Sequence, residues 1–189
     1  MDKILILAGG YSNEREISLI TARSVTRELK KNKKYKLLTI EPNGHFVEKL
    51  RKFKPKLVLN LLHGRYGEDG YIQSILESER IKYTHSGVLS SSLAIDKEIS
   101  KKIFIKNKIL TPSYFKFIFK KNTNYKNIIK KIEKKLKFPV VLKPINEGSS
   151  VGVYITNKKN FINNLIKLEK FKDILIEKYI PGREIQAAI

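Results

Sequence analysis

The sequence predicts an α/β chain, with a parallel-sheet unit in front and a mixed unit of strands and helices behind it. Three observations lead there. In the front half, short apolar runs such as Lys3 to Ala8 and Leu57 to Leu62 alternate with helical stretches, the pattern of parallel strands joined by crossover helices. Two of those runs end in glycine-rich polar loops, Gly9 to Glu16 and His63 to Gly70. In the back half, Val140 to Val153 reads Val-Val-Leu-Lys-Pro-Ile-Asn-Glu-Gly-Ser-Ser-Val-Gly-Val, which is the pattern of strand, loop and strand.

Taken in order, Lys3 to Ala8 is a short buried strand, Gly9-Gly10 a turn, and the stretch to about Lys31 a helix with apolar residues at Ile17, Ile20, Val25 and Leu29. Strand, glycine turn and helix open an α/β unit. The turn lacks Gly-x-Gly-x-x-Gly, so no nicotinamide site is expected. Leu37 to Ile40 is a second strand, Phe46 to Phe53 a helix, Leu57 to Leu62 a third strand and Tyr71 to Ser78 a helix. Parallel pairing follows. The small-residue stretch around Ser90, Ser91 and Ser92 reads as the neighbourhood of a hinge, which divides the chain into 1–94 and 95–189. A helix from Asp96-Lys97 to about Asn107 comes next, then a strand at Tyr114 to Phe119 and an amphipathic helix at Tyr125 to Leu136. The strand-loop-strand pair has its second strand at Val151 to Ile155, because β-branched residues alternate around Gly152. Phe161 to Leu168 reads as a helix and Ile174 to Tyr179 as a strand.

Composition removes several function classes. With 39 Lys and Arg against 18 Asp and Glu, the formal charge is +21, which raises nucleic acid as a partner. The lysines, however, are spread over helices and turns among Ile and Asn, without stacking aromatics beside them, and no nucleic-acid partner is expected. No apolar run approaches the ~20 residues that cross a bilayer, so no membrane partner is expected. Met-Asp-Lys leads into a strand and not into a signal peptide, which points to a cytoplasmic chain. There are no cysteines, and His45, His63 and His85 form no close pair for a metal.

The chemistry is expected in the loops. Ligands on open parallel sheets gather at the carboxyl ends of strands, where both glycine-rich loops of the front unit lie, and His63 heads one of them. In the back unit, Gly148, Ser149 and Ser150 can turn backbone N–H groups and hydroxyls onto one anion, and Lys143 adds a positive charge beside them. That set suits a nucleotide's phosphates. It is not the Walker loop, which runs straight into a helix.

Several motifs then match one family in order. They are Gly9-Gly10-x-Ser12-x-Glu14-Arg15-Glu16-x-Ser18-Leu19, Leu62-His63-Gly64-Arg65-x-Gly67-Glu68-Asp69-Gly70, Tyr83-Thr84-x-Ser86-Gly87-Val88, Asp96-Lys97, Lys143-Pro144 and Glu147-Gly148-Ser149-Ser150-Val151-Gly152. In these the chain resembles the D-alanine:D-alanine ligases. The resemblance implies a Rossmann-like parallel-sheet (pre-ATP-grasp) domain followed by the first part of an α+β ATP-grasp domain. It also implies an ATP-dependent ligase that joins two D-alanine molecules for the cell wall through a D-alanyl phosphate, and a homodimer at full length.

Residue by residue, the resemblance makes Lys97 and Lys143 the phosphate-contacting lysines. Glu147, Gly148, Ser149, Ser150 and Val151 become the mobile loop over the phosphates. Glu177, Lys178, Tyr179 and Ile180 become the adenine-binding linker, and Glu184 the acid on the ribose hydroxyls. Glu14 would receive the ammonium of the first D-alanine, in a hydrogen-bonded link with Ser149, and His63 would stand beside its carboxylate. The family's lid loop, catalytic arginine and magnesium carboxylates have no match here, and the chain stops at Ile189 in an apolar stretch that reads as mid-strand. The expectation is therefore the front part of a longer enzyme, with the Mg2+ ligands beyond residue 189. D-lactate or D-serine as the second substrate, or another ATP-grasp carboxylate–amine ligase, are the alternatives.

Overall fold

The computed structural model describes residues 1–185, so the expected mid-strand ending at Gln186 to Ile189 lies outside the described residues. Two compact units divide the chain, Met1–Asp96 and Lys97–Ile189. The fold is mixed α/β, with a parallel sheet in the first unit and an antiparallel sheet in the second.

The first unit runs β1 (Asp2–Leu7), α1 (Arg15–Lys30), β2 (Tyr35–Ile40), α2 (Phe46–Phe53), β3 (Leu57–Asn60), α3 (Tyr71–Ser78) and α4 (Val88–Ile95). Its sheet has the order β2-β1-β3, and both pairings are parallel, with Ile4 opposite Leu37 on one side and Leu57 on the other. The central strand is apolar from Ile4 to Leu7, where it is covered on both faces. Leu5 and Leu7 pack with Phe46, Leu50, Val58, Ile72 and Leu76, while Ile6 and Ala8 pack with Ala22 of α1. Each fully buried leucine of this kind is worth roughly 1.5 to 3 kcal/mol of transfer free energy.

The second unit runs α5 (Lys97–Lys106), β4 (Tyr114–Ile118), α6 (Tyr125–Lys135), β5 (Val140–Pro144), β6 (Tyr154–Thr156), α7 (Phe161–Ile166), a 3-10 turn (Glu169–Phe171) and β7 (Asp173–Lys178). The sheet order is β4-β7-β5-β6, antiparallel throughout. Because side chains alternate along a strand, its two faces differ in kind. One face carries Phe117, Val140, Leu142, Ile174 and Ile176 against Ile132 and Leu136 of α6 and Phe161 and Leu165 of α7. The register places Tyr114, Lys116, Val141, Lys143, Leu175 and Glu177 together on the other face.

Three elements differ from the sequence expectation. Helix α4 occupies the serine stretch that was read as the neighbourhood of a hinge, and two of its serines are used internally: Ser91 Oγ donates to Ser86 O at 3.1 Å and Ser92 Oγ to Asp69 O at 2.8 Å. The strand expected at Val151 to Ile155 is confined to Tyr154–Thr156. Ser149, Ser150 and Gly152 all have positive φ, which is incompatible with an extended run. The third strand ends at Asn60, two residues early, where Asn60 turns its side chain onto the backbone of the following loop, accepting from Leu62 N and donating to Gly67 O.

Candidate active site

In the first unit the site is built at the carboxyl ends of the strands. After β1, Ser12 Oγ accepts from Glu14 N at 3.1 Å, which sets the turn leading into α1. Ser18, fully buried on α1, ties two strand ends together: its hydroxyl accepts from Gly9 N at 2.8 Å and donates to Leu61 O at 2.6 Å. Glu41, just past β2, takes the Arg15 guanidinium in a two-pronged ion pair of 3.1 and 2.6 Å. That hydrogen bonding, and then the charge of Glu41, raises the Arg15 pKa further above its ordinary value.

The loop after β3 is held by its own acids. Gly64 N donates to Glu68 Oε2 at 3.0 Å and Tyr66 N to Asp69 Oδ2 at 2.8 Å, while Asn60 and Gln73 both donate to Gly67 O at 2.8 Å. This brings Gly64 against the buried Glu14: a Cβ added at Gly64 would stand 2.8 Å from Glu14 Oε2. His63 precedes it, with Nδ1 3.8 Å from Glu68 Oε1 and a buried Nε2 that has no hydrogen-bond partner. A buried carboxylate and a buried ring nitrogen awaiting a partner therefore flank the same glycine. A cavity of about 760 Å³ opens between Tyr11, Phe46, Arg65, Tyr66 and Tyr71 and includes neither Glu14 nor His63 in its wall.

In the second unit, Lys97 opens α5 and its Nζ donates to Ile145 O at 3.2 Å and to Glu147 O, so the helix start is tied to the loop that follows β5. The loop itself folds through Val151 N to Gly148 O at 2.9 Å and Val153 N to Ser150 O at 3.2 Å. Gly152, with φ of +70°, lies 2.9 Å by its would-be Cβ from both Leu168 and Pro144, so no side chain fits there. Lys143 leaves β5 on the charged face and pairs with Glu177 of β7. Glu177 Oε2 also lies 2.8 Å from Lys101 Nζ of α5, an ion pair off the angle of a hydrogen bond.

A family model described as D-ala D-ala ligase C-terminus matches residues 104–189. The D-alanine--D-alanine ligase of Pelagibacter ubique is 63% identical over 187 residues, a match that takes in 99% of this chain and 60% of the relative. The crystal structure of D-alanine--D-alanine ligase from Bacillus anthracis aligns with a TM-score of 0.81 at 36% identity, covering 96% of this chain and 59% of that one. The Bacillus anthracis ligase complexed with ATP aligns at 0.80 and 34% identity, over 96% of this chain and 60% of that one. This chain is similar to the D-alanine–D-alanine ligases over nearly all of its own length. It spans about 60% of the length of the relatives it matches.

Against the ligase motifs, Glu14 lies against Gly64, the residue after His63, in the first unit, and Lys97 is tied to Glu147 at the head of the Gly148 to Val151 loop in the second. Lys143 is placed differently from the expectation that it point at the loop: its ammonium is taken up by Glu177. Glu177 in turn is buried between two lysines, whereas its neighbours Lys178 and Ile180, and Glu184 further on, are exposed, with Tyr179 half-buried. The motifs left Ser18, Asn60, Gln73 and Lys101 without roles; the first three hold the loops and the fourth holds Glu177. At Asn60 the available signal was a polar residue ending an apolar strand. Among the described residues no three His, Cys, Asp or Glu side chains group as metal ligands would.

Proposed function

We propose that the chain provides the D-alanine site and part of the nucleotide site of an ATP-dependent ligase that joins two D-alanine molecules. The observation that carries this reading is the buried Glu14 carboxylate lying against Gly64, the residue that follows His63 with its unpartnered Nε2. An amino acid is a zwitterion: Glu14 offers a fixed anion to its ammonium, and the unpartnered Nε2 of His63 offers an N–H to its carboxylate. The ATP complex of the Bacillus anthracis ligase supports ATP as the co-substrate.

In this reading a D-alanine carboxylate oxygen attacks the γ-phosphorus of ATP. An O–P bond forms, the bond to the β,γ-bridging oxygen breaks, and ADP leaves with the electron pair. The amine of a second D-alanine then attacks the carbonyl carbon of the acyl phosphate, phosphate departs, and the amine gives up a proton. The first step brings two anions together, so the protein's task is positioning and neutralising charge. Lys97, Lys143 and the N–H groups of Gly148 to Val151 supply positive potential. Glu14 holds the ammonium, so that the other end of the substrate is the one presented. Magnesium supplied with ATP would offset further phosphate charge.

The test is product formation by the protein that carries this chain, supplied with ATP, magnesium and D-alanine. ADP, phosphate and D-alanyl-D-alanine should rise together. ADP formation that ignores D-alanine, or that requires D-lactate or D-serine instead, contradicts the reading.

A further inference from the structure

On the charged face of the second sheet, one buried carboxylate is shared by two lysines that are held very differently. Glu177 lies on β7 with its side chain 8% exposed, and Lys101 reaches it from α5 with 7% exposed. Besides Glu177 Oε2 at 2.8 Å, Lys101 Nζ donates to Thr111 Oγ1 at 2.7 Å and to Pro112 O at 2.9 Å, and it stacks 5.1 Å from the Tyr114 ring centroid. Two hydrogen bonds and the ion pair hold its ammonium in place. Lys143, paired with Glu177 Oε1, is 23% exposed and has no second partner among the described residues.

We propose that Lys101 is a positioning residue: as the permanent counter-ion of Glu177, it allows Lys143 to leave that carboxylate for an anionic ligand. The proposal rests on the reading above, in which Lys143 serves the phosphates. The physical reason is the cost of a buried charge. Taking the sole partner from a buried carboxylate is strongly unfavourable, whereas taking one of two is not. With Lys101 in place, Glu177 stays compensated when Lys143 swings away. Without it, Lys143 becomes the only cation available and is held on Glu177. Lysine suits the mobile role, being a compact charge on a flexible stem, and the same residue type becomes rigid at 101 only because three acceptors surround it.

The experiment reads Lys143 directly, without nucleotide, as its rate of acylation by an amine-reactive ester followed by peptide mass spectrometry. Lys101→Met should slow labelling of Lys143 by about threefold or more, Lys101→Arg should restore the wild-type rate, and Glu177→Gln should speed it. In the Glu177→Gln background, Lys101→Met should change nothing. An unfolded variant would label faster and so cannot imitate the expected slowing. If Lys101→Met does not fold, Glu177→Gln alone decides, since Lys143 must then label faster while Lys101 stays protected. An unchanged Lys143 rate in either single variant overturns the proposal, as does an equal effect of Lys101→Met in both backgrounds. ATP affinity is the second readout, expected to fall about tenfold in Lys101→Met only when Glu177 is present. Should Lys143→Met leave ATP affinity untouched, the phosphate reading fails instead, and the labelling rates still report on the lysine pair.

Discussion

Glu14 lies against Gly64 so closely that a methyl group on the glycine would stand 2.8 Å from the carboxylate oxygen Oε2. The glycine has φ of +64°, so Gly64→Ala meets backbone strain as well as the Glu14 carboxylate. Left-handed backbone costs roughly 1 to 2 kcal/mol for a residue with a Cβ, and that loss should appear in urea unfolding. The carboxylate is the movable partner, so D-alanine affinity should fall as well. Loss of stability with D-alanine affinity unchanged would separate Gly64 from the substrate site.

Glu14→Gln keeps the shape of the side chain and removes its charge. Losing a charge-assisted hydrogen bond at a buried site costs on the order of 1.5 to 3 kcal/mol. The affinity for the first D-alanine should therefore drop by roughly one to two powers of ten, with ATP affinity nearly unchanged. Equilibrium binding of each ligand to both forms is the measurement. An unaltered D-alanine affinity would reduce Glu14 to an acid at the start of a helix.

Ser18 makes a prediction about the scaffold. Ser18→Ala would leave Gly9 N without its acceptor and Leu61 O without its donor at a fully buried place, for a loss of about 2 kcal/mol. Thr21→Ala, three residues along the same helix, removes only a hydroxyl bonded to the exposed Ile17 carbonyl and should change little. Urea midpoints of the two variants should differ clearly. Equal midpoints would mean that the strand ends are held without the serine.

Alkaline pH offers a check on the first unit. Tyr83 donates to Glu77 Oε1 at 2.6 Å, and burial, then that bond and the glutamate's charge, push its pKa up to about 12 from 10.0. A raised folded-state pKa gives stability that is present below the unfolded value and is lost as pH rises from 10 towards 12. Urea midpoints above pH 10 should fall more steeply in the wild type than in Tyr83→Phe. Parallel slopes would show that the phenol is not protected in the fold.

How much of this was legible in the sequence depended on which physical signal each residue carried. The strands β1, β2, β5 and β7 and the helices α2, α3 and α6 announced themselves through apolar period. Helix α4 did not, because a Ser-Ser-Ser run otherwise signals a turn, whereas here the buried Ser91 and the exposed Ser92 bond to backbone carbonyls within the unit. The second strand of the hairpin was overestimated since Val151 and Val153 look extended, whereas positive φ at Ser150 and Gly152 places them in a turn. Glu14, His63, Lys97 and Lys143 were singled out by motif. Lys101 was not, since one buried lysine on a lysine-rich helix has no local signature; its role comes from Glu177, 76 residues away, through the pairing of β7 with β4 and β5.

The central claim, that the loop after β5 and Lys143 serve a nucleotide's phosphates, is tested most directly by ATP affinity in Lys143→Met against Lys130→Met. Lys130 is an exposed lysine of α6 and a cleaner control than Lys131, whose ammonium lies 4.1 Å from the Phe115 ring centroid. Replacing an exposed lysine should change affinity little. Replacing Lys143 should weaken ATP by about tenfold or more while the protein remains folded by thermal melt, because a phosphate contact has lost its charge. ATP bound equally well by the two variants would contradict the account and leave the Gly148 to Val151 loop an ordinary polar turn.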